Sequence, residues 1–297
     1  MKVLITGATG FIGKHLIDRL FNDGHEIFIT LLPHENNPFD ITETTGFVLD
    51  GDYMQNLKTF MSENTIDGII HLASFVQSGD HNSEEVPRLI DTNVKFSVLI
   101  LESAVYAKVK WFINTGTYWQ HYNNKDYSPV NLYAATKQAF MDIARFYWET
   151  EKINFCTIKL FDTYGPNDTR PKIFNLWDGI ARSGETLDMS SGEQLIDISH
   201  VDDIISAFEL LAKHLQNQHP DVKNGDVFAV KANKRYTLKQ LATIYEVASN
   251  TKLNINWGAR QYRDREVMIP WIDGVIVPGW KPKFDIEAGI KIFLGIQ

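Results

Sequence analysis

Through its first half the chain alternates two hydrophobic patterns. Short runs rich in apolar and β-branched residues fall at about 2–6, 26–32, 46–49, 67–73, 109–115 and 153–160. Between them, near 11–22, 53–63, 84–107 and 132–151, apolar positions recur at helical spacing. Strands alternating with helices predict an α/β fold, a parallel sheet with helices on both faces. Gly24, just past the first helical stretch, stands where a left-handed cap is expected. Beyond Gly165-Pro166 the pattern becomes irregular, with aromatic and polar residues intermixed. No repeat, low-complexity tract or Pro/Gly-rich linker separates the halves, so the second is expected to be woven against the first.

Composition narrows the class. A chain of 297 residues can bury a sizeable core. A net charge of −8 without a basic block argues against a long nucleic-acid footprint. The single cysteine, Cys156, lies in the apolar run Ile153–Ile158, so it forms no disulfide within the chain and reads as a buried strand thiol rather than a nucleophile. The chain enters a strand directly, with no charged leader, and no run approaches the roughly 20 apolar residues that span a bilayer. The expectation is a soluble, cytoplasmic protein with no membrane or nucleic-acid partner and no metal.

The stretch Gly7-Ala8-Thr9-Gly10-Phe11-Ile12-Gly13 follows the first strand and opens the first helix. There Gly7 allows a tight turn, Gly10 lets a pyrophosphate approach the backbone, and Gly13 permits close helix–sheet packing, while the helix N-terminus offers free N–H groups and positive dipole. A glycine cluster after a strand is also an ordinary turn. Its place at the first strand-to-helix turn of an alternating chain favours dinucleotide binding and a Rossmann-type, doubly wound sheet.

A second group bears on chemistry. Tyr133 and Lys137 stand four residues apart, on one face of the helix after the strand at 109–115. A free phenol titrates near 10, and a nearby positive charge brings it toward the working range, where it can exchange a proton with a carbonyl or alcohol. Alone, the spacing is as compatible with an exposed pair on an ordinary helix.

Taken in order, the glycine turn, Ile70-His71-Leu72-Ala73-Ser74, Asn93, Thr115 and Tyr133/Lys137 resemble the extended short-chain dehydrogenase/reductase family. Leu160–Pro166, Asp197–Asp203 and Gly279-Trp280-Lys281-Pro282 are similar to its later segments, so the resemblance covers nearly the whole chain. It implies an NADP(H)-binding domain at 1–165 and a smaller, mostly C-terminal nucleotide-sugar lobe at 166–297. Catalysis would fall to Thr115, holding the sugar carbonyl, Tyr133, transferring the proton, and Lys137, binding the nicotinamide ribose. Gly7, Thr9, Gly10, Phe11, Ile12, Gly13, Asp50, Gly51, Leu72, Ala73, Ser74, Asn93 and Leu160 would hold the cofactor with Tyr133 and Lys137. Thr115, Thr117, Trp119, Gln120, Asp162 and Arg263 would meet the substrate. A homodimer through the helices at 84–107 and 132–151 is also implied.

Departures from the family pattern refine this. The second strand ends Ile29-Thr30-Leu31-Leu32-Pro33-His34, without the carboxylate that accepts bonds from the adenine ribose, which favours NADPH over NADH. Sugar-nucleotide dehydratases of the family carry Thr-Asp-Glu where this chain has Thr115-Gly116-Thr117, so dehydration lacks its acid and base. Ile196 replaces an arginine that contacts nucleotide phosphate in many epimerases. Residues 115–120 and 129–137 look like the CDP-abequose and CDP-paratose synthase group, reductases of a 4-keto sugar in O-antigen synthesis. Three readings remain: that reductase, a nucleotide-sugar 4-epimerase with retained NAD, and a non-catalytic nucleotide-binding protein.

Overall fold

The computed structural model describes residues 1–40, 42–77, 79 and 81–296; Ile41, Ser78, Asp80 and Gln297 lie outside the described residues. The first half runs β1 (Lys2–Thr6), α1 (Phe11–Asn22), β2 (Glu26–Leu31), β3 (Thr44–Val48), α2 (Met54–Glu63) and β4 (Gly68–His71), and then α3 (Val86–Ile90). A π-helical segment, Asp91–Phe96, carries α3 into α4 (Ser97–Tyr106). There follow β5 (Trp111–Thr117), two 3₁₀ turns at Tyr118–Gln120 and Tyr122–Asn124, α5 (Leu132–Glu149) and β6 (Asn154–Leu160).

The second half is more regular than its sequence pattern promised. It contains β7 (Asp162–Tyr164), α6 (Ile173–Ser183), β8 (Leu187–Met189), β9 (Leu195–Ile196), β10 (Ile198–His200) and α7 (Val201–Gln216). The chain continues through β11 (Val227–Val230), β12 (Tyr236–Thr237), α8 (Leu238–Ser249), β13 (Ile255–Trp257) and α9 (Ile286–Leu294). Four helices thus lie where the reading found irregularity. Three of them, α6, α8 and α9, bury their apolar faces on one another around Trp177, Tyr245 and Ile290, a core that local periodicity does not announce when strands of two or three residues interrupt it.

Seven parallel strands form the central sheet in the order β11-β6-β5-β4-β1-β2-β3. The fold is a Rossmann-type doubly wound sheet. Its middle strands are buried on both faces, which explains their unbroken apolar runs. One face is covered by α1 and α7, which meet around Leu16, Ile205 and Phe208. On the other face α2, α4 and α5 enclose Leu57, Leu101, Phe112 and Phe140. Strand β11 extends the sheet from the second half of the chain, which is therefore interleaved with the first. Cys156 is fully buried, and burial pushes its thiol up to about 12, which leaves it an inert strand residue. No helix among the described residues is long and apolar enough to cross a membrane.

The sheet order reverses between β1 and β4, and at that point the loops leaving the two strands part to form a crevice. Gly7 at φ +69° turns the chain away from β1; a Cβ there would lie 2.6 Å from the Ala73 nitrogen in the loop after β4. Gly24 also has the left-handed conformation expected of it, at φ +77°.

Candidate functional site

The crevice is lined by the glycine turn (Gly7, Thr9, Gly10), the end of β2 (Thr30, Leu32), Leu49, Tyr53 and the loop Leu72–Phe75, with Arg88, Asp91, Thr92 and Phe96 on its far wall. Gly10 caps α1 without a side-chain partner, so the first N–H groups of the helix are left for an acceptor from outside the helix. A Cβ on Gly13 would lie 2.4 Å from the Gly7 carbonyl oxygen, which shows how closely the helix approaches the turn. Gly13→Ala is therefore expected to push α1 off the turn and weaken dinucleotide binding at least about tenfold, measured by calorimetry; unchanged affinity would mean that no ligand rests on this turn. Phe11 and Ile12 pack their side chains against the α1–α7 core, and Leu160 joins the same core from the end of β6. These residues fit a dinucleotide pyrophosphate. Asp50 and Gly51 do not line the crevice: they form an exposed turn, and their neighbours Leu49 and Tyr53 take the lining positions.

Several lining residues were missed in the sequence, among them Leu49, Tyr53, Phe75, Arg88 and Glu35. Glu35 folds back over the glycine turn, where its carboxylate accepts from Thr9 Oγ1 at 3.0 Å and from the Leu32 amide at 2.9 Å. The stretch 29–34 has no carboxylate, but the turn begun by Leu32-Pro33 brings one back from just beyond it. The NADPH expectation did not weigh this carboxylate beside the glycine turn.

Asn93 sits in the π-helical segment, fully buried, and all its bonds are to protein. Its amide oxygen accepts from the Phe75 N–H at 2.9 Å and Ser74 Oγ at 3.1 Å. Its amide nitrogen donates to the Phe75 carbonyl at 2.9 Å and to Thr136 Oγ1 at 3.0 Å. Asn93 therefore ties the Leu72–Phe75 loop to α5. Beneath it, His71 bridges Thr6 Oγ1 (2.7 Å) and Ser97 Oγ (2.8 Å); burial holds its pKa well below the usual range, so it stays neutral.

Tyr133 and Lys137 lie on the buried face of α5, which Asn131 caps by accepting from the Ala134 N–H at 3.0 Å. Burial pushes the Tyr133 phenol up to about 12, opposed by a hydrogen bond with Ser74, and pushes the Lys137 ammonium down to about 8. The direction is opposite to the lowered phenol expected from the spacing: desolvation dominates at both groups, and Lys137 is not among the causes acting on Tyr133. Thr115, on β5, has a buried hydroxyl with no partner among the described residues. A buried hydroxyl without a partner is costly, and a ligand oxygen would satisfy it.

The other expected substrate residues divide. Trp119 presents its ring edge-on to Tyr133, with centroids 6.2 Å apart. Asp162 accepts from Tyr118 Oη at 3.4 Å and faces Lys172 Nζ at 3.7 Å, while the Tyr118 ring stacks on Phe161. Thr117 and Gln120 are engaged with each other: Thr117 donates its N–H to Gln120 Oε1, and the Gln120 amide donates to Gln138 on α5. Arg263 lies in an exposed loop after β13.

Beside the glycine-turn crevice, then, stand its lining residue Ser74 and Tyr133 of α5, which Ser74 bonds. The model of the NAD dependent epimerase/dehydratase family matches residues 3–225. The chain belongs to that family. Over 303 residues it is 28% identical to a CDP-abequose synthase of Salmonella muenchen, covering 100% of this chain and 98% of that protein. A CDP-abequose synthase of Yersinia pseudotuberculosis is 25% identical over 281 residues, with 91% and 92% covered. Among solved structures, a UDP-glucuronic acid 4-epimerase from Bacillus cereus, in complex with UDP-glucuronic acid and NAD, has the same fold, with a TM-score of 0.82 at 19% identity and 99% and 98% of the chains covered.

Proposed function

We propose that the chain reduces the C4 keto group of a nucleotide-linked deoxyhexulose, a CDP-3,6-dideoxyhexulose being favoured, in O-antigen deoxysugar synthesis. The observation that carries this is the Thr115-Gly116-Thr117 segment. It keeps an unpartnered hydroxyl for a carbonyl oxygen but has no carboxylate pair for elimination. Nor is there room for one in place: a Cβ on Gly116 would meet Lys159 Cγ at 2.9 Å and Gln120 Oε1 at 3.0 Å. The full-length likeness to CDP-abequose synthases supports this class of substrate.

A reduced nicotinamide cofactor, when bound in the crevice, supplies the hydride. Thr115 Oγ1 holds the substrate oxygen, and Tyr133 Oη gives that oxygen a proton as negative charge develops on it. Lys137 holds the cofactor ribose and, once that ribose keeps its charge near the phenol, favours the phenolate left behind. Leu72–Ser74, fixed by Asn93, closes the floor of the site. Of the two cofactor forms, the sequence favoured NADPH; Glu35 supports NADH, because a carboxylate at the ribose end of the crevice repels a 2′-phosphate. We therefore propose NADH. The substrate lies toward the lobe built from 166–297, and two copies pair through the helical stretch 84–107 and α5.

A 4-epimerase is the second reading, favoured by Glu35 and by the structural likeness to epimerases that bind NAD. Incubation with NADH or NADPH and a panel of CDP-, dTDP-, UDP- and GDP-linked 4-keto sugars, with NMR of the product, tests the proposal. Net cofactor oxidation with one 4-hydroxy epimer formed is the expected result. Tightly retained NAD, with interconversion of C4 epimers and no net oxidation, overturns it.

A further inference from the structure

Lys159 lies near the end of β6, opposite Gly116, with 3% of its surface exposed. Burial pushes its ammonium down to about 8, opposed by the charge of Asp142 at longer range, and no ion pair to it is found among the described residues. Its ammonium instead meets His121 Nε2 at 2.6 Å. Because His121 Nδ1 lies 3.0 Å from the Lys125 carbonyl, that nitrogen carries the ring proton and Nε2 is free to accept. The neutral imidazole stacks on Trp271, with centroids 3.9 Å apart and planes 6° from parallel, and the Lys159 ammonium is 5.3 Å from the Trp271 ring centre. A buried ammonium whose neighbour is a neutral ring is a destabilising choice where methionine would fit.

Trp271 lies near the end of a segment, 262–272, that bridges the two halves of the molecule. Met268 accepts from the Leu195 N–H of β9, and Arg235, paired with Asp197, donates to the Pro270 and Trp271 carbonyls. On the other side Arg265 lies over Tyr122 and donates to Ser128. His121 directly follows the turn that sets Trp119 against Tyr133.

We propose that Lys159 is a positioning residue: through His121 and Trp271 it fastens the 262–272 strap to the turn after β5, beside Trp119 and Tyr133, and so holds the nucleotide-sugar site closed. This rests on the reading of the surroundings of Thr115 and Tyr133 as the substrate site.

The test compares Lys159→Met, His121→Phe, which keeps a stacking ring without the acceptor, and the double variant. Lys159→Met and the double variant are expected to melt at or above the parent temperature, and His121→Phe below it because the ammonium then lies buried without its acceptor; all three are expected to bind NADH within twofold of the parent. Affinity for CDP should fall about tenfold, KM for a CDP-linked 4-keto sugar should rise by a similar factor with kcat within threefold, and trypsin should cut faster at Arg263 and Arg265. The double variant should be no worse than either single one, since both break one link. Parent-like trypsin lifetime and CDP affinity in Lys159→Met overturn the proposal, as do multiplying effects in the double variant or a lowered melting temperature with parent CDP affinity. If Lys159→Met does not fold, His121→Phe carries the same readouts. Proteolysis and melting need no turnover, so failure of the reductase reading leaves them intact and is seen separately.

Discussion

Tyr133→Phe is expected to lower turnover of a 4-keto sugar by on the order of 10²–10⁴ while leaving cofactor affinity within about twofold. The substitution removes one oxygen and leaves a ring that still meets Trp119 edge-on and fills the same buried position on α5. Removing that hydroxyl also frees Ser74 of one partner, although Ser74 Oγ keeps its bond to Asn93. The loss should therefore appear in kcat more than in binding. Lys137→Ala should impair both, since the same ammonium is read as holding the ribose and favouring phenolate, and Thr115→Ala should act chiefly on kcat. The three losses are expected to be far from additive, because the groups act on one oxygen and one proton. Parent-rate turnover by Tyr133→Phe would mean that the tyrosine only packs.

The second large effect concerns the cofactor. The parent chain is expected to bind NADH several-fold more tightly than NADPH, and Glu35→Ser is expected to reverse that order, with NADPH affinity rising about tenfold, or about 1.4 kcal/mol. Two like charges about 4 Å apart near a surface repel by up to about 4 kcal/mol at an effective dielectric of about 20, and the half-exposed position of Glu35 reduces this through screening. Serine removes the charge and leaves a hydroxyl that can donate to phosphate. Titration of both dinucleotides against both proteins by calorimetry or nicotinamide fluorescence is the check. Tighter binding of NADPH by the parent would show that the loop carrying Glu35 moves aside or that its carboxylate does not face the ribose.

Much of this molecule was legible in the chain itself. The parallel sheet could be read because its strands are buried on both faces and therefore continuously apolar, and the glycine turn because Gly7 and Gly13 tolerate approaches that any Cβ would block. Helical spacing put Tyr133 and Lys137 on one face of α5, but it fitted an exposed pair equally well; the family resemblance singled them out. Tertiary structure decided the rest, since it depends on which distant segments meet. Glu35 reaches the crevice only through a turn that folds back over Thr9, and Asp50, the acidic residue chosen by position, is left in solvent. The protonation of Tyr133 and Lys137 was not in their spacing either, because desolvation depends on the whole enclosure rather than on four residues of helix. Lys159 reads as an ordinary strand lysine until the fold sets His121 and Trp271, 38 residues before it and 112 after, against the same amine. A sequence specifies its strands and turns through local sterics and hydrophobic period; the electrostatics of a buried site belong to the packing that removes it from water.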